Sequence, residues 1–215
     1  VATLRDNIAV IDHHALVGGT MAQEVDVRKA ASEDFWLIAP MVLLVSLVIL
    51  ILLLQSVITP IALLLVNTAS AAAAIGIGAM VSERVLGAPA LDSQLPLIAF
   101  LFLVALGVDY TMFLSHRIKA ESVSHGSTEG TIRGLATTGT VITSAGVVLA
   151  GVFAALATLP LMILGQLGII VGLGVLLDTL VVRTLVVPAL FAVLGRRNLP
   201  TPTPETTEER VELPA

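Results

Sequence analysis

Residues 35–82 read FWLIAPMVLLVSLVILILLLQSVITPIALLLVNTASAAAAIGIGAMVS and hold no Asp, Glu, Lys or Arg. Crossing the hydrocarbon layer takes about 20 residues, so the stretch is too long for one span and long enough for two. Gln55, Ser56, Thr59 and Pro60 interrupt it near the middle. The pattern predicts two helices, 36–54 and 61–81, joined by a tight turn. Phe35 and Trp36 stand where the first helix enters, as aromatic interface anchors do.

The same pattern repeats downstream. Residues 82–94, with Glu83, Arg84, Gly87, Pro89 and Asp92, read as a polar loop, and a third helix follows over 95–115. A second polar loop is expected over 116–134, around Arg117, Lys119, Glu121, Glu129 and Arg133. A fourth helix covers 135–158, Pro160 marks a turn, and a fifth runs over 161–194, broken only by Asp178 and Arg183. This last run exceeds one crossing, so its end passes along or beyond the interface, with Pro188 a site for a kink. Upstream, residues 1–34 face water. Ile8–Ile11 suits a short strand or helix end, Leu16 to Gly19 a strand end and turn, and Thr20 the cap of a helix reaching Asp34. Residues 196–215, rich in Pro, Thr and Glu, read as a disordered tail.

Bulk composition agrees. The 215 residues are 56% hydrophobic and 13% charged, with a mean hydropathy of +1.00; a soluble domain carries about 25% charged residues. The expected fold class is therefore an all-α polytopic membrane protein with five transmembrane helices and a small extracytoplasmic α/β remnant at its N-terminus. The net charge of −5 owes much to the tail, and no basic patch points to nucleic acid. With no cysteine, disulfides, thiolate metal sites and cysteine nucleophiles are excluded. His13 and His14 lack ligand spacing, and no nucleophile elbow, phosphate loop or zinc motif is present. The reading is of a non-enzyme with no cofactor, metal or catalytic residue. The chain opens on Val1 without a signal peptide, which reads as a piece of a longer polypeptide.

Basic residues set the orientation. Arg117, Lys119 and Arg133 between the third and fourth helices, and Arg196 and Arg197 after the fifth, belong on the cytoplasmic side. Five spans then place residues 1–34 and 82–94 outside and the tail inside, in a multi-pass protein of the cell membrane.

Four features carry chemistry. Asp109, beside Tyr110, falls near the middle of the third helix, where an ionised carboxylate costs roughly 2.5–3.5 kcal/mol. Such a carboxylate either carries a proton reversibly or pins helix packing by hydrogen bonding; Tyr110 offers it a hydroxyl. Asp178 and Arg183 are five residues apart, about 140° around an α-helix. They are not expected to pair: Asp178 seeks a partner on a neighbouring helix, and Arg183 snorkels toward the interface. The fourth helix opens with Thr137, Thr138, Thr140, Thr143 and Ser144, which either bond their own backbone or form a polar wall facing Asp109. Finally, His116 is seven residues from Asp109 on almost the same face, toward the basic loop, with Met112 and Phe113 between them. It is either an interfacial residue or a proton exit, since imidazole changes charge near neutral pH. Asn67 is expected to bond across helices.

Three ordered segments resemble a known family. Phe102 to Tyr110, ending Gly107-Val108-Asp109-Tyr110, resembles the Gly-x-Asp-Tyr helix of the MMPL (mycobacterial membrane protein large) branch of the resistance–nodulation–division (RND) superfamily. Thr138 to Gly146 resembles the helix that follows, and Gly174 to Arg183 with Val187-Pro188-Ala189 the final one. The resemblance covers roughly residues 8–195 and is nearest the drug or antibiotic exporter-like subgroup. Arg196-Arg197-Asn198 departs from the paired tryptophans frequent in relatives, which leaves the subgroup open.

The resemblance implies the last five of twelve helices, an RND-type half-bundle whose N-terminal half lies elsewhere in the same polypeptide. It implies a proton relay at Asp109 and Tyr110, secondary polar sites at Asp178 and Arg183, and export of lipids or hydrophobic drug-like molecules driven by protons. Membrane lipids, protons, such a substrate and further copies of the chain are the implied partners. Two other readings stay open: a related proton-driven protein with another task, such as protein translocation, and a lipid-sensing module that transports nothing.

Overall fold

The computed structural model describes residues 18–88, 90–125 and 127–190. The short strand or helix end expected at 8–11, the expected α/β remnant, and the tail with Arg196 and Arg197 lie outside these residues. Every regular element among them is helical. Helix α1 spans Thr20–Leu54, α2 Ile58–Leu86, α3 Leu95–His125, α4 Ser127–Leu156 and α5 Met162–Leu177. A π-helical segment, Asp178–Val186, continues α5, and the two form one apolar rod to Leu190. All five rods are long and apolar enough to cross a membrane, so the protein is an all-α multi-pass membrane protein.

The boundaries move where local chemistry lets a helix continue. The polar segment 20–34 and the apolar span 36–54 form one 35-residue helix, because nothing at Phe35 breaks it. At the far end Gln55 takes a left-handed conformation (φ 54°), and its N–H bonds the Ile51 carbonyl at 2.8 Å. Pro60 then falls in the first turn of α2, where no amide donor is needed, so α2 starts before it. The expected loop 116–134 is almost entirely helical instead. Ala, Lys and Glu propagate a helix, and Arg117 and Glu121 pair one turn apart at 2.9 Å. Gly126, between α3 and α4, lies outside the described residues.

α5 is the hub. It packs on α2, α3 and α4, whereas α1 packs mainly on α2 and α3. Burial follows: 44% of the apolar window of the α5 rod is buried against 11% for α1. One face of α1, with Trp36, Leu37, Met41, Leu44 and Leu52, is exposed, while Phe35, Val42, Leu43 and Leu47 pack against the core. Two apolar clusters fill the bundle. One gathers Leu103, Val104, Ile170 and Val171, and the other Leu63, Leu114, Ile118 and Val182. Without a hydrophobic drive between helices in lipid, small residues let the backbones close. At Gly168 a side-chain carbon would stand 2.5 Å from the Phe153 carbonyl oxygen and 2.7 Å from the Ala157 nitrogen, both rigid backbone of α4 and its turn.

Gly168→Ala should therefore push α4 and α5 apart and destabilise the full-length protein by about 1–3 kcal/mol. Gly151→Ala, where nothing lies within 4 Å, serves as its control. Thermal denaturation in detergent measures both; equal midpoints would show that the α4–α5 approach is not tight.

Candidate functional site

Between the two apolar clusters lies a polar network built from α2, α3 and the π-helical segment. Its centre is Arg183, only 4% exposed. Its Nε and Nη2 donate to Asp178 Oδ2 at 2.8 and 2.6 Å. Nη2 also donates to the Gly107 carbonyl at 3.3 Å. The guanidinium carbon stands 4.4 Å from the centre of the Tyr110 ring, a cation–π placement. Nη1 is buried with no hydrogen-bond partner among the described residues.

The pair corrects the expectation that Asp178 and Arg183 face apart. On an α-helix they would. Here the backbone bonds i to i+5, as in Val187 N–H to Val182 O, so five residues make about one turn and both side chains share a face. Arg183 accordingly turns inward rather than snorkelling to an interface. Thr179, 2% exposed, packs beside the pair against Gly146 of α4.

Asn67 of α2, 6% exposed, bonds across helices as expected. Its Nδ2 donates to the Val104 carbonyl at 3.3 Å, and its Oδ1 fills the space where any side chain at Gly107 would begin. Glycine at 107 is thus required by a neighbour, not by a turn.

Asp109 sits differently. It is exposed, on the face of α3 that turns away from the network, and makes no hydrogen bond or ion pair among the described residues. Phe102, Ala105, Phe113 and His116 share that exposed face, with Met112 half-buried beside it. Tyr110 is half-buried and belongs to the network. The structure therefore separates the adjacent residues, Tyr110 toward Arg183 and Asp109 outward. The hydroxyls of α4 serve mostly their own helix. Thr137 and Thr138 donate to the Gly134 carbonyl at 3.2 and 2.6 Å, and Ser144 to that of Val141 at 3.0 Å. Thr140 is exposed and Thr143 half-buried; neither is brought to Asp109.

One polar residue escaped the sequence reading. Gln166, 1% exposed near the start of α5, donates through Nε2 to the Ala90 carbonyl at 2.9 Å and accepts from the Asp92 N–H at 3.2 Å. It holds the α2–α3 loop against α5. A lone amide in a long apolar run was the available signal. No cluster that could hold a metal occurs among the described residues.

This is the polar interior of a multi-pass membrane protein, and comparison identifies the class. The chain belongs to the MMPL family, whose model matches residues 1–211. It is similar to a Streptomyces coelicolor membrane protein, 52% identical over 84% of this chain and 26% of the relative. It is also similar to the apo-petrobactin exporter of Bacillus anthracis, at 40% over 84% of this chain and 24% of the relative. The sulfolipid-1 exporter MmpL8 of Mycobacterium tuberculosis is 37% identical over 89% of this chain and 17% of its own length. The chain thus spans about a quarter or less of these relatives.

Removing one member of a buried ion pair leaves the other uncompensated, at a cost of about 3–5 kcal/mol. Asp178→Asn and Arg183→Met should each lower the melting point of the full-length protein in detergent. The double variant Asp178→Leu with Arg183→Met should recover most of the loss. Additive losses would show that the two charges do not depend on each other.

Proposed function

We propose that this chain is the C-terminal membrane part of an exporter driven by the proton-motive force, and that Asp109 and Tyr110 form its proton relay. The exposure of Asp109 carries the proposal. A carboxylate in the middle of a membrane helix, with no partner in its own bundle, is costly against lipid. It belongs where a second bundle covers it, and the N-terminal half of the same polypeptide is the proposed cover. There it takes up and releases a proton, and the change of charge alters how the two bundles pack.

The exporter relatives support a hydrophobic or lipid-like cargo, as sulfolipid and apo-petrobactin are what two of them are named for. The basic residues Arg117 and Arg133 support a cytoplasmic position for the ends of α3 and α4 that carry them. On that orientation the exposed face of α3 leads from Asp109 past Met112 and Phe113 to His116, which we place as the proton's exit. Arg183, stacked on Tyr110, holds the relay's second member in place.

In the full-length protein, Asp109→Asn keeps the size of the side chain and removes its titration. The expected result is normal expression and membrane insertion with transport lost. Wild-type-like efflux from a well-expressed Asn variant would sink the relay. His116→Ala should slow transport most where proton release limits it, and His116→Glu should keep part of the rate. If both behave as wild type at every cytoplasmic pH tested, the exit does not pass through His116.

A further inference from the structure

The relay residue is aimed by groups that never touch it. Two donors from different helices reach backbone carbonyls of α3 within about a turn and a half of Asp109. Asn67 of α2 bonds the Val104 oxygen, and Arg183 of the π-helical segment bonds the Gly107 oxygen, each at 3.3 Å. Asn67 Oδ1 also rests against the bare Cα face of Gly107. Val104 and Gly107 are buried, and both side chains approach from the interior of the bundle. Counting 100° per residue, Asp109 lies about 140° around the helix from Val104 and about 200° from Gly107. Holding those two backbone sites inward therefore turns Asp109 outward.

We propose that Asn67 is a positioning residue: with Arg183 it clamps the backbone of α3 and fixes the rotation at which Asp109 meets whatever covers that face. The inference rests on the relay reading of Asp109, but its geometry stands apart from it. An ordinary helix–helix hydrogen bond would need neither a glycine opposite nor a second donor one turn away. The clamp has no slack on the α2 side, because a single methyl at Gly107 displaces the amide.

Other charged groups do not fix this rotation. At the level of Asp109, α3 carries Tyr110 and the π-helical segment carries Asp178 and Arg183. The Asp, Glu, Lys and Arg residues of α1 stop at Asp34, α2 has only Glu83 and Arg84 in its last turns, and α4 has only Glu129 and Arg133 in its first two. The amide of Asn67 is thus the neutral half of the clamp, and removing it changes no charge.

The test reads Asp109 directly. Dicyclohexylcarbodiimide reacts with protonated carboxyls in apolar surroundings, so its labelling of Asp109 in the purified full-length protein, followed by mass spectrometry against pH, titrates that group without requiring a transported substrate. Asn67→Leu, of similar volume and without the amide, should displace the labelling curve from that of the wild type. Asn67→Ala should shift it in the same direction, and keeps the test open should the leucine variant misfold. Gly107→Ala should reproduce the shift with Asn67 still present, because the methyl pushes the amide off. Adding Asn67→Ala to Gly107→Ala should relieve the crowding and restore thermal stability but leave the midpoint shifted. Ser70→Ala, one turn along α2, should keep the wild-type curve. Asn67 and Gly107 variants that titrate with the wild type would overturn the clamp, whatever their stability. Transport surviving in Asp109→Asn would overturn the relay and leave the labelling result standing.

Discussion

A guanidinium enclosed by apolar helices must be given acceptors, and the rest of this bundle is arranged around giving them to Arg183. Its nearest possible carboxylate within its own helix is five residues away, a spacing that α-geometry points about 140° off. The backbone yields instead of the charge: over Asp178–Val186 the helix widens to i→i+5 bonding, and the carboxylate comes round to face the guanidinium. The π-form has poorer packing and is rare, found mainly as short insertions at functional positions. Here the ion pair offsets that cost. A second acceptor, the Gly107 carbonyl, comes from the neighbouring helix, so the pair also ties α3 to α5.

From that tie the division of polarity follows. Interior polar groups are mostly satisfied. Asp178 and Arg183 hold each other, Asn67 holds a carbonyl, Gln166 holds a loop, and several α4 hydroxyls return to their own helix. Among the described residues, Arg183 Nη1 and the hydroxyls of Ser82 and Ser115 are buried without a partner, while Asp109 faces out; the family to which the chain belongs includes proteins named as exporters. The inward network ties helices together, while Asp109 stands on the outward face of α3.

Much of this was legible in the sequence. The five spans follow from hydropathy and length alone, since lipid permits few backbone solutions other than a helix. Asp109, Tyr110, Asp178 and Arg183 stood out because charge within apolar runs is conspicuous. Their partners were harder to read. Assuming uniform 3.6-residue periodicity separated Asp178 from Arg183, and nothing local announced the widened helix; only the need to satisfy both charges could have suggested it. The loop expected over 116–134 failed for a related reason. Polarity marks where a helix leaves the membrane, not where it ends, and no Gly or Pro stands between Arg117 and His125. Which way Asp109 faces depends on tertiary contacts at Val104 and Gly107, beyond the reach of any pattern along the chain.

The unbroken α1 has a mechanical consequence. At 1.5 Å per residue its 35 residues extend about 52 Å, while the hydrocarbon layer is about 30 Å thick. About 20 Å of stiff rod therefore projects past the apolar layer, braced along its exposed turns by Glu24–Arg28 and Lys29–Glu33 pairs at 3.5 and 3.8 Å. Within the bundle α1 is the least embedded of the five, seated mainly on α2 and α3. A rod held at one end by the helix that bears Asp109 acts as a lever arm. A tilt of about 10° at its seat swings the far end by about 3–4 Å, so a small adjustment of α3 deep in the membrane becomes a displacement of atomic dimensions well outside it, with Pro40 inside the helix the place where the rod can bend.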